Sequence, residues 1–528
     1  MTQGNPAEQK NARPRTPAPK RAGAEKTTAG RSKVRPAKAR HVPIIIIGAG
    51  FGGIGLAIKL REAGIDDFTI LERTADLGGT WSRNTYPGAA CDVPSSLYSY
   101  SFAPNPAWSR KFGTQPEILA YLRDTATHFD VVKCMEFETE VESAHFDEKT
   151  ARWKIETSRG VMAADTLISS VGVFDQAAIP DLPGLGQFKG TTFHSLHWDH
   201  THTLKGERIA VIGTGASAVQ FIPELQPLAK ELLVFQRTPP WIVPRMDRSI
   251  TALEKLAYRM LPVTQRCTRA SWYAMIESFG LPGFISTSFR YPFEAMGRFQ
   301  LMRQVRDPDL RRRLTPDYMI GCKRPIFSDN YYPALCQSNV QLVTESIAEV
   351  KAHSIVTKEG VELAVDTIIF GTGFETMPRV SAQIHGTDGR SMADLFYQDR
   401  PQSYLGATCA GFPNFFTVLG RFGAGGNQSA VFWMEGQYGY IIDAISRMRR
   451  EGIRRFDVRP EVQSAFVDEV HDRSSNGTWI KGGCSSYYTN GKGMNAGLYP
   501  NWSFEYRQRV RRWNPEDFLL TRTESRHA

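Results

Sequence analysis

The pattern that most restricts this chain is written in it twice. "VPIIIIGAGFGGIGLAIKLREAG" has an apolar run, a glycine-rich turn and an amphipathic helical stretch, and "ERIAVIGTGASAVQFIPELQ" repeats the plan. In the first copy four isoleucines suit a short parallel strand buried on both faces. The turn that follows holds Gly48, Gly50, Phe51, Gly52 and Gly53. In a G-x-G-x-x-G turn the first glycine permits the tight bend and the second lets the backbone approach a pyrophosphate. The third, Gly53 here, allows close helix–strand packing. The helix N-terminus adds free N–H groups and a positive dipole end. The second copy reads Gly213, Thr214, Gly215, Ala216, Ser217 and Ala218, with Ala in the third glycine's place.

The two copies differ where they meet the ribose. "FTILE" ends the next strand at Glu72, and "LLVFQRTP" runs to Arg237, each 24 residues after the first glycine of its unit. A carboxylate there can accept both hydroxyls of a ribose, whereas a guanidinium suits a 2′-phosphate. Either charge could also be a solvated strand end. Taken with the whole units, the pair argues for two different dinucleotides: one without a 2′-phosphate, such as FAD, and NADPH.

A chain of 528 residues has room for two or three domains. The net charge of +10 does not describe its body. Residues 1–40 carry 11 Lys/Arg against two Asp/Glu, which leaves 53 basic and 52 acidic residues in the remainder. Specific nucleic-acid binding is therefore not expected. The basic segment is rich in Pro, Ala, Lys and Arg and is read as a disordered tail. It lacks a signal peptide's apolar core, and its prolines oppose a transit-peptide helix. No apolar run is long enough for a transmembrane helix. Seven widely spaced cysteines without a CxxC pair suggest a reducing compartment, expected to be the cytoplasm. They give no disulfide framework and no zinc ligand set.

The loop "RTADLGGTWSRNTYPGAACDVPSSLYSYSF" is long, and long loops in compact domains are often functional. Its Trp81, Tyr86, Tyr98 and Tyr100 could build a flat wall for an isoalloxazine or could simply pack the loop. Here the chain resembles a known family. Gly78-Gly79-Thr80-Trp81, Tyr86-Pro87-Gly88 and Asp92 look like the longer fingerprint of Baeyer–Villiger monooxygenases. Phe188, Gly190, His194, Trp198 and Asp199 match their second fingerprint, and flavin-containing heteroatom monooxygenases, similar here, usually lack the Trp. "DTIIFGTGF", Asp366–Phe374, resembles the strand-turn that leads back into the flavin domain in both families.

The resemblance implies that NADPH reduces FAD and that reduced flavin captures O₂ as a C4a-peroxide. That peroxide attacks a ketone carbonyl, and the adduct rearranges to an ester or lactone. The anion needs a cation that cannot hand it a proton, and Arg qualifies. Arg324 stands at the matching position, with Asp92 as the acid that orients it. The implied FAD set is Gly48, Gly50, Phe51, Gly52, Gly53, Glu72, Thr80, Trp81, Asp92, Tyr98 and Val141. The implied NADP set is Gly213, Thr214, Gly215, Ala216, Ser217, Arg237, Thr238 and Lys323. His194 is expected to be a hinge or hydrogen-bonding residue. His197, His200 and His202 are expected to be solvated, and no metal site is expected.

The expected fold class is α/β, with two Rossmann-like domains, for FAD and NADPH, and a helical insertion in the second. The FAD domain is drawn from 41–172 and 366–528, with a linker over 173–190. The NADP domain is drawn from 191–242 and 321–365, interrupted by an aromatic-rich insertion over 243–320 that could line substrate access. Ala90 stands where many relatives have Arg, which puts the nicotinamide-side contacts in doubt. The expected partners are O₂ and a small ketone, thioether or amine, on a monomer or dimer. Rival readings are a monooxygenase acting on N or S, a flavin disulfide reductase, for which Cys91 has no nearby partner, and a non-enzymatic redox-sensing or polyanion-binding flavoprotein.

Overall fold

The computed structural model describes residues 39–396, 398, 400–490 and 492–523. Most of the expected tail lies outside these residues. Arg40, however, pairs with Met162 and His41 with Ala163 as a parallel edge strand, so ordered chain begins before position 41.

Two large parallel sheets organise the rest. Their strands are β1 (Ile44–Ile47), β2 (Phe68–Leu71), β3 (Met135–Glu136), β4 (Thr166–Ser169), β5 (Thr191–His194), β6 (Arg208–Ile212), β7 (Glu231–Phe235), β8 (Val340–Val343), β9 (Thr367–Phe370) and β10 (Phe415–Thr417). The first sheet runs β10-β4-β1-β2-β3 and the second β8-β7-β6-β9-β5. Every pairing within them is parallel. Helix α1 (Phe51–Glu62) follows β1, and α2 (Ala216–Leu225) follows β6.

The isoleucine run explains the layering around the first sheet. Side chains alternate across a strand, so Ile44 and Ile46 enter a core with α1 and the long helix Ala430–Arg450. Ile45 and Ile47 face the other way, into a core with the antiparallel meander Val141–Asp147, Arg152–Thr157 and Gly160–Ala164. The second sheet repeats this division. Ile209 and Val211 pack on α2. Ala210 and Ile212 pack with Val350, Ile355 and Val365, of which Val350 and Ile355 lie in a small antiparallel sheet.

The two glycine turns are built alike. Gly48 and Gly213 have φ of +101° and +103°, in the region that favours glycine. A Cβ on Gly48 would lie 2.9 Å from the Ser170 carbonyl oxygen, just past β4. On Gly213 it would lie 2.5 Å from that of Gly371, just past β9. Gly53 is tighter still, since its Cβ would fall 2.0 Å from the Gly48 oxygen. Neither backbone can yield without opening the turn. Gly53→Ala is expected to cost about 1–3 kcal/mol, and an unchanged melting temperature would contradict the packing role.

One boundary is corrected here. The strand β9 lies between β6 and β5, at the heart of the second sheet, so that sheet's chain runs past the boundary drawn at 365. The run "DTIIF" is as apolar as either sheet requires, and only pairing assigns it. The insertion is helical, with Ala252–Met260, Pro262–Met275, Leu281–Ile285 and Tyr291–Gln304. Its residues stand off the wall of the main cavity. Phe284 sits one layer behind it, stacked on Trp479 with ring centroids 5.2 Å apart.

Candidate active site

One cavity of about 1130 Å³ opens onto both glycine turns. That exceeds the ~300–1,000 Å³ of ordinary small-molecule pockets. Of the expected FAD residues, Gly48, Gly50, Phe51, Gly52, Glu72, Thr80, Trp81, Asp92, Tyr98 and Val141 line it, and Gly53 lies behind as packing. Of the expected NADP residues, Gly215, Ala216 and Ser217 line it together with Arg324. Gly213, Thr214, Arg237, Thr238 and Lys323 are not on its wall.

Glu72 follows β2 directly, with only 8% of its surface exposed. One carboxylate oxygen accepts from the Ala49 N–H at 2.9 Å, and the other from the Thr74 N–H and hydroxyl at 3.0 and 2.8 Å. These bonds aim the carboxylate along the first glycine turn. The residues present therefore fit a dinucleotide whose ribose hydroxyls meet a carboxylate. In the second unit Arg237 is exposed. Lys323 is half-buried, its ammonium pushed below the usual pKa by burial and then by the like charge of Arg237, with Asp317 opposing. Two cations held near each other suit a dianionic phosphate.

Asp92 and Arg324 come from segments 232 residues apart and meet as a fork. The Arg324 Nε donates to one Asp92 oxygen at 3.0 Å, and its Nη2 to the other at 2.7 Å. The Arg324 side chain keeps 39% of its surface exposed, and it faces the cavity. Asp92's charge is the main cause that holds the guanidinium protonated even more firmly than usual, against burial.

The loop aromatics do not form a flat wall. Trp81 and Tyr98 meet edge to face at 73°, with the Trp81 Nε1 donating to the Tyr98 hydroxyl at 3.1 Å. Tyr100 is buried in the core and donates to the Phe51 carbonyl at 2.7 Å. Tyr86 donates to Gln220 at 2.9 Å, and Gln220 donates to the Ala90 carbonyl at 2.9 Å. Gln220 lies on α2, so the fingerprint loop of the first unit is fastened to the helix of the second. No spacing signal marked this glutamine.

The second fingerprint is structural in place. Gly190 packs against the Asp366 carbonyl, which a Cβ would meet at 2.1 Å, and against the Phe188 ring. His194 is buried at the end of β5, accepts from the Leu196 N–H at 3.0 Å, and has its imidazole pKa lowered by burial. Trp198 packs on Phe193 and on Phe221 of α2, and Asp199 closes a turn on Thr201. His197 is exposed. His200 and His202 are not merely solvated: the first bonds Thr85 at 2.8 Å, the second Thr367 and Glu207 at 3.0 and 3.1 Å. Among the described residues no group of three or more His, Cys, Asp or Glu is placed to hold a metal ion.

The cysteine reading also changes. Cys322 and Cys484, 162 residues apart, form a disulfide. Neither lines the cavity, so the pair does not relay electrons across it as a disulfide reductase would require. Tyr487 and Tyr488, just beyond Cys484, do line it. Nothing in their spacing marks them in the sequence.

Two parallel sheets facing one cavity, each with a glycine turn and with opposite charges at Glu72 and Arg237, define an oxidoreductase of the two-dinucleotide class. The chain belongs to the flavin-binding monooxygenase-like family, whose model matches residues 41–386. It is 41% identical over 486 residues to a Baeyer–Villiger monooxygenase of Streptomyces coelicolor, covering 91% of this chain and 93% of that protein. A Baeyer–Villiger monooxygenase of Pseudomonas aeruginosa is also 41% identical, over 92% of this chain and 93% of its own. Cyclohexanone monooxygenase from Rhodococcus sp. Phi1, solved with NADP⁺ bound, superposes with a TM-score of 0.81 at 28% identity. That match covers 92% of this chain and 100% of the solved one.

Proposed function

We propose that the protein uses FAD, NADPH and O₂ to insert one oxygen atom beside a ketone carbonyl, giving an ester or lactone. The observation that carries this reading is the Arg324–Asp92 fork on the wall of the cavity that both glycine turns share. When bound, FAD supplies hydride acceptance and oxygen activation.

The chain's own groups do the rest. The first glycine turn presents backbone N–H groups to a pyrophosphate, and Glu72 accepts from ribose hydroxyls. Arg237 and Lys323 hold a 2′-phosphate on the second unit. Arg324 places a fixed positive charge beside the oxygens that carry negative charge during the addition, and it does not give up a proton at working pH. Asp92 holds two of its N–H donors and so fixes the plane of the guanidinium. Trp81 and Tyr98 wall the cavity from the first unit and keep water from part of it. We assign the first sheet, with its flanking meander, to FAD and the second to NADPH.

Substrate-dependent NADPH oxidation on a panel of linear, cyclic and aromatic ketones and thioethers, with product identification, tests the reading. Ester or lactone formation is expected. Oxygenation confined to sulfur or nitrogen would overturn it in favour of heteroatom oxygenation.

A further inference from the structure

The Cys322–Cys484 bond joins two segments that both reach the active site. Cys322 precedes Lys323 and Arg324 directly and is 1% exposed. Cys484 is half-buried, and Tyr487 and Tyr488 follow it onto the cavity wall. The segments are also packed backbone to backbone. The Met319 N–H donates to the Gly482 carbonyl at 3.1 Å. A Cβ on Gly482 would meet the Cys322 Cβ at 2.4 Å, and one on Gly321 would meet the Thr478 hydroxyl oxygen at 2.5 Å. Tyr488 is buried beside the Phe284 ring, and the Tyr487 and Tyr488 hydroxyls lie 3.4 Å apart. The other five cysteines are free.

We propose that Cys322 and Cys484 form a reversible thiol–disulfide site that controls how firmly Arg324 and Tyr488 are held. Closed, the bond ties the Arg324 segment to the loop over 482–490. Open, the Met319–Gly482 hydrogen bond and the packing of Tyr488 on Phe284 remain without the covalent tie, and the loop leaves the cavity wall more readily. The half-buried Cys484 sulfur is the one a thiolate can reach. A dithiol attacks it, the S–S bond breaks, and the Cys322 thiolate leaves and takes up a proton. The second thiol of the reductant then closes on the first and frees the Cys484 thiol. Two electrons and two protons pass to the cysteines as the dithiol becomes a disulfide. Hydrogen peroxide reverses the change. The Cys484 thiol ionises, its sulfur cleaves the peroxide O–O bond to give a sulfenic acid, and the departing hydroxide takes up the thiol's proton as water. Cys322 then attacks that sulfur and expels a second water.

The link to turnover rests on the role proposed above for Arg324, but the chemical test does not. The full chain is treated with dithiothreitol under native conditions, alkylated and mapped by peptide mass, then re-closed with one equivalent of hydrogen peroxide. Both cysteines are expected to open and re-close, with the buried Cys91 and Cys409 unlabelled. Trypsin should then cut after the exposed Lys492 at least tenfold faster in reduced than in oxidised protein. Cys484→Ser, a change at a half-buried site, should be cut at the fast rate in either condition. A bond that opens only in denaturant, or equal cleavage rates in both states, overturns the proposal. These readouts use neither substrate nor turnover, so they stand apart from the ketone reading. Where ketone oxygenation is measurable, its rate should fall at least threefold on reduction, and loop release with an unchanged rate overturns the link to Arg324.

Discussion

Arg324→Ala is expected to lower ketone oxygenation by about 10²–10³-fold, the usual effect of deleting one preorganised group that stabilises developing charge. NADPH binding and flavin reduction should change little, because neither step needs that charge. Asp92 is left without its fork, but its side chain is 22% exposed toward the cavity, and water can take the place of the guanidinium. The variant should therefore fold. Arg324→Lys is the sharper comparison. It keeps a positive charge but replaces a planar fork with a point charge that can lose a proton. An intermediate rate is expected, with a pH dependence that the Arg protein lacks. Product formation by chromatography and flavin reduction by stopped-flow absorbance check both variants. An Arg324→Ala protein that makes ester at the parent rate would remove Arg324 from the chemistry.

Arg237→Ala is expected to raise KM for NADPH by about 10–100-fold and leave KM for NADH nearly unchanged. The size follows from one charge-assisted hydrogen bond to phosphate, worth about 1.5–3 kcal/mol. Lys323 is held close enough for Arg237 to depress its pKa. Lys323→Ala should therefore show the same selectivity, and the double variant should fall short of the product of the two single effects. Equal changes for the two nicotinamide cofactors would mean that neither cation meets a 2′-phosphate.

Much of the candidate site is legible in the sequence. The strand–turn–helix units declare themselves because glycines are demanded by backbone geometry, which is local. The two 24-residue spacings to Glu72 and Arg237 are nearly as local. What failed to show were relations between distant segments. Gln220 has the sequence signature of any polar helix residue, yet it bonds Tyr86 and Ala90 across the two units. The histidines between 194 and 202 have separate surroundings, which local sequence could not assign. His194 is buried in a strand, Trp198 is packed on α2, and His200 and His202 bond to separate partners.

The sequence by itself determined the two glycine turns, their order and the opposite charges that follow the next strand of each unit. All of these follow from residue type at short fixed spacing, where backbone stereochemistry and charge leave few alternatives. Only the tertiary structure decided that β9 belongs to the second sheet and that Phe284 stands one layer behind the cavity. It alone brought Asp92 to Arg324 across 232 residues and Cys322 to Cys484 across 162. Such contacts are set by how the layers pack, and a pair separated by hundreds of residues carries no local geometry that could reveal it.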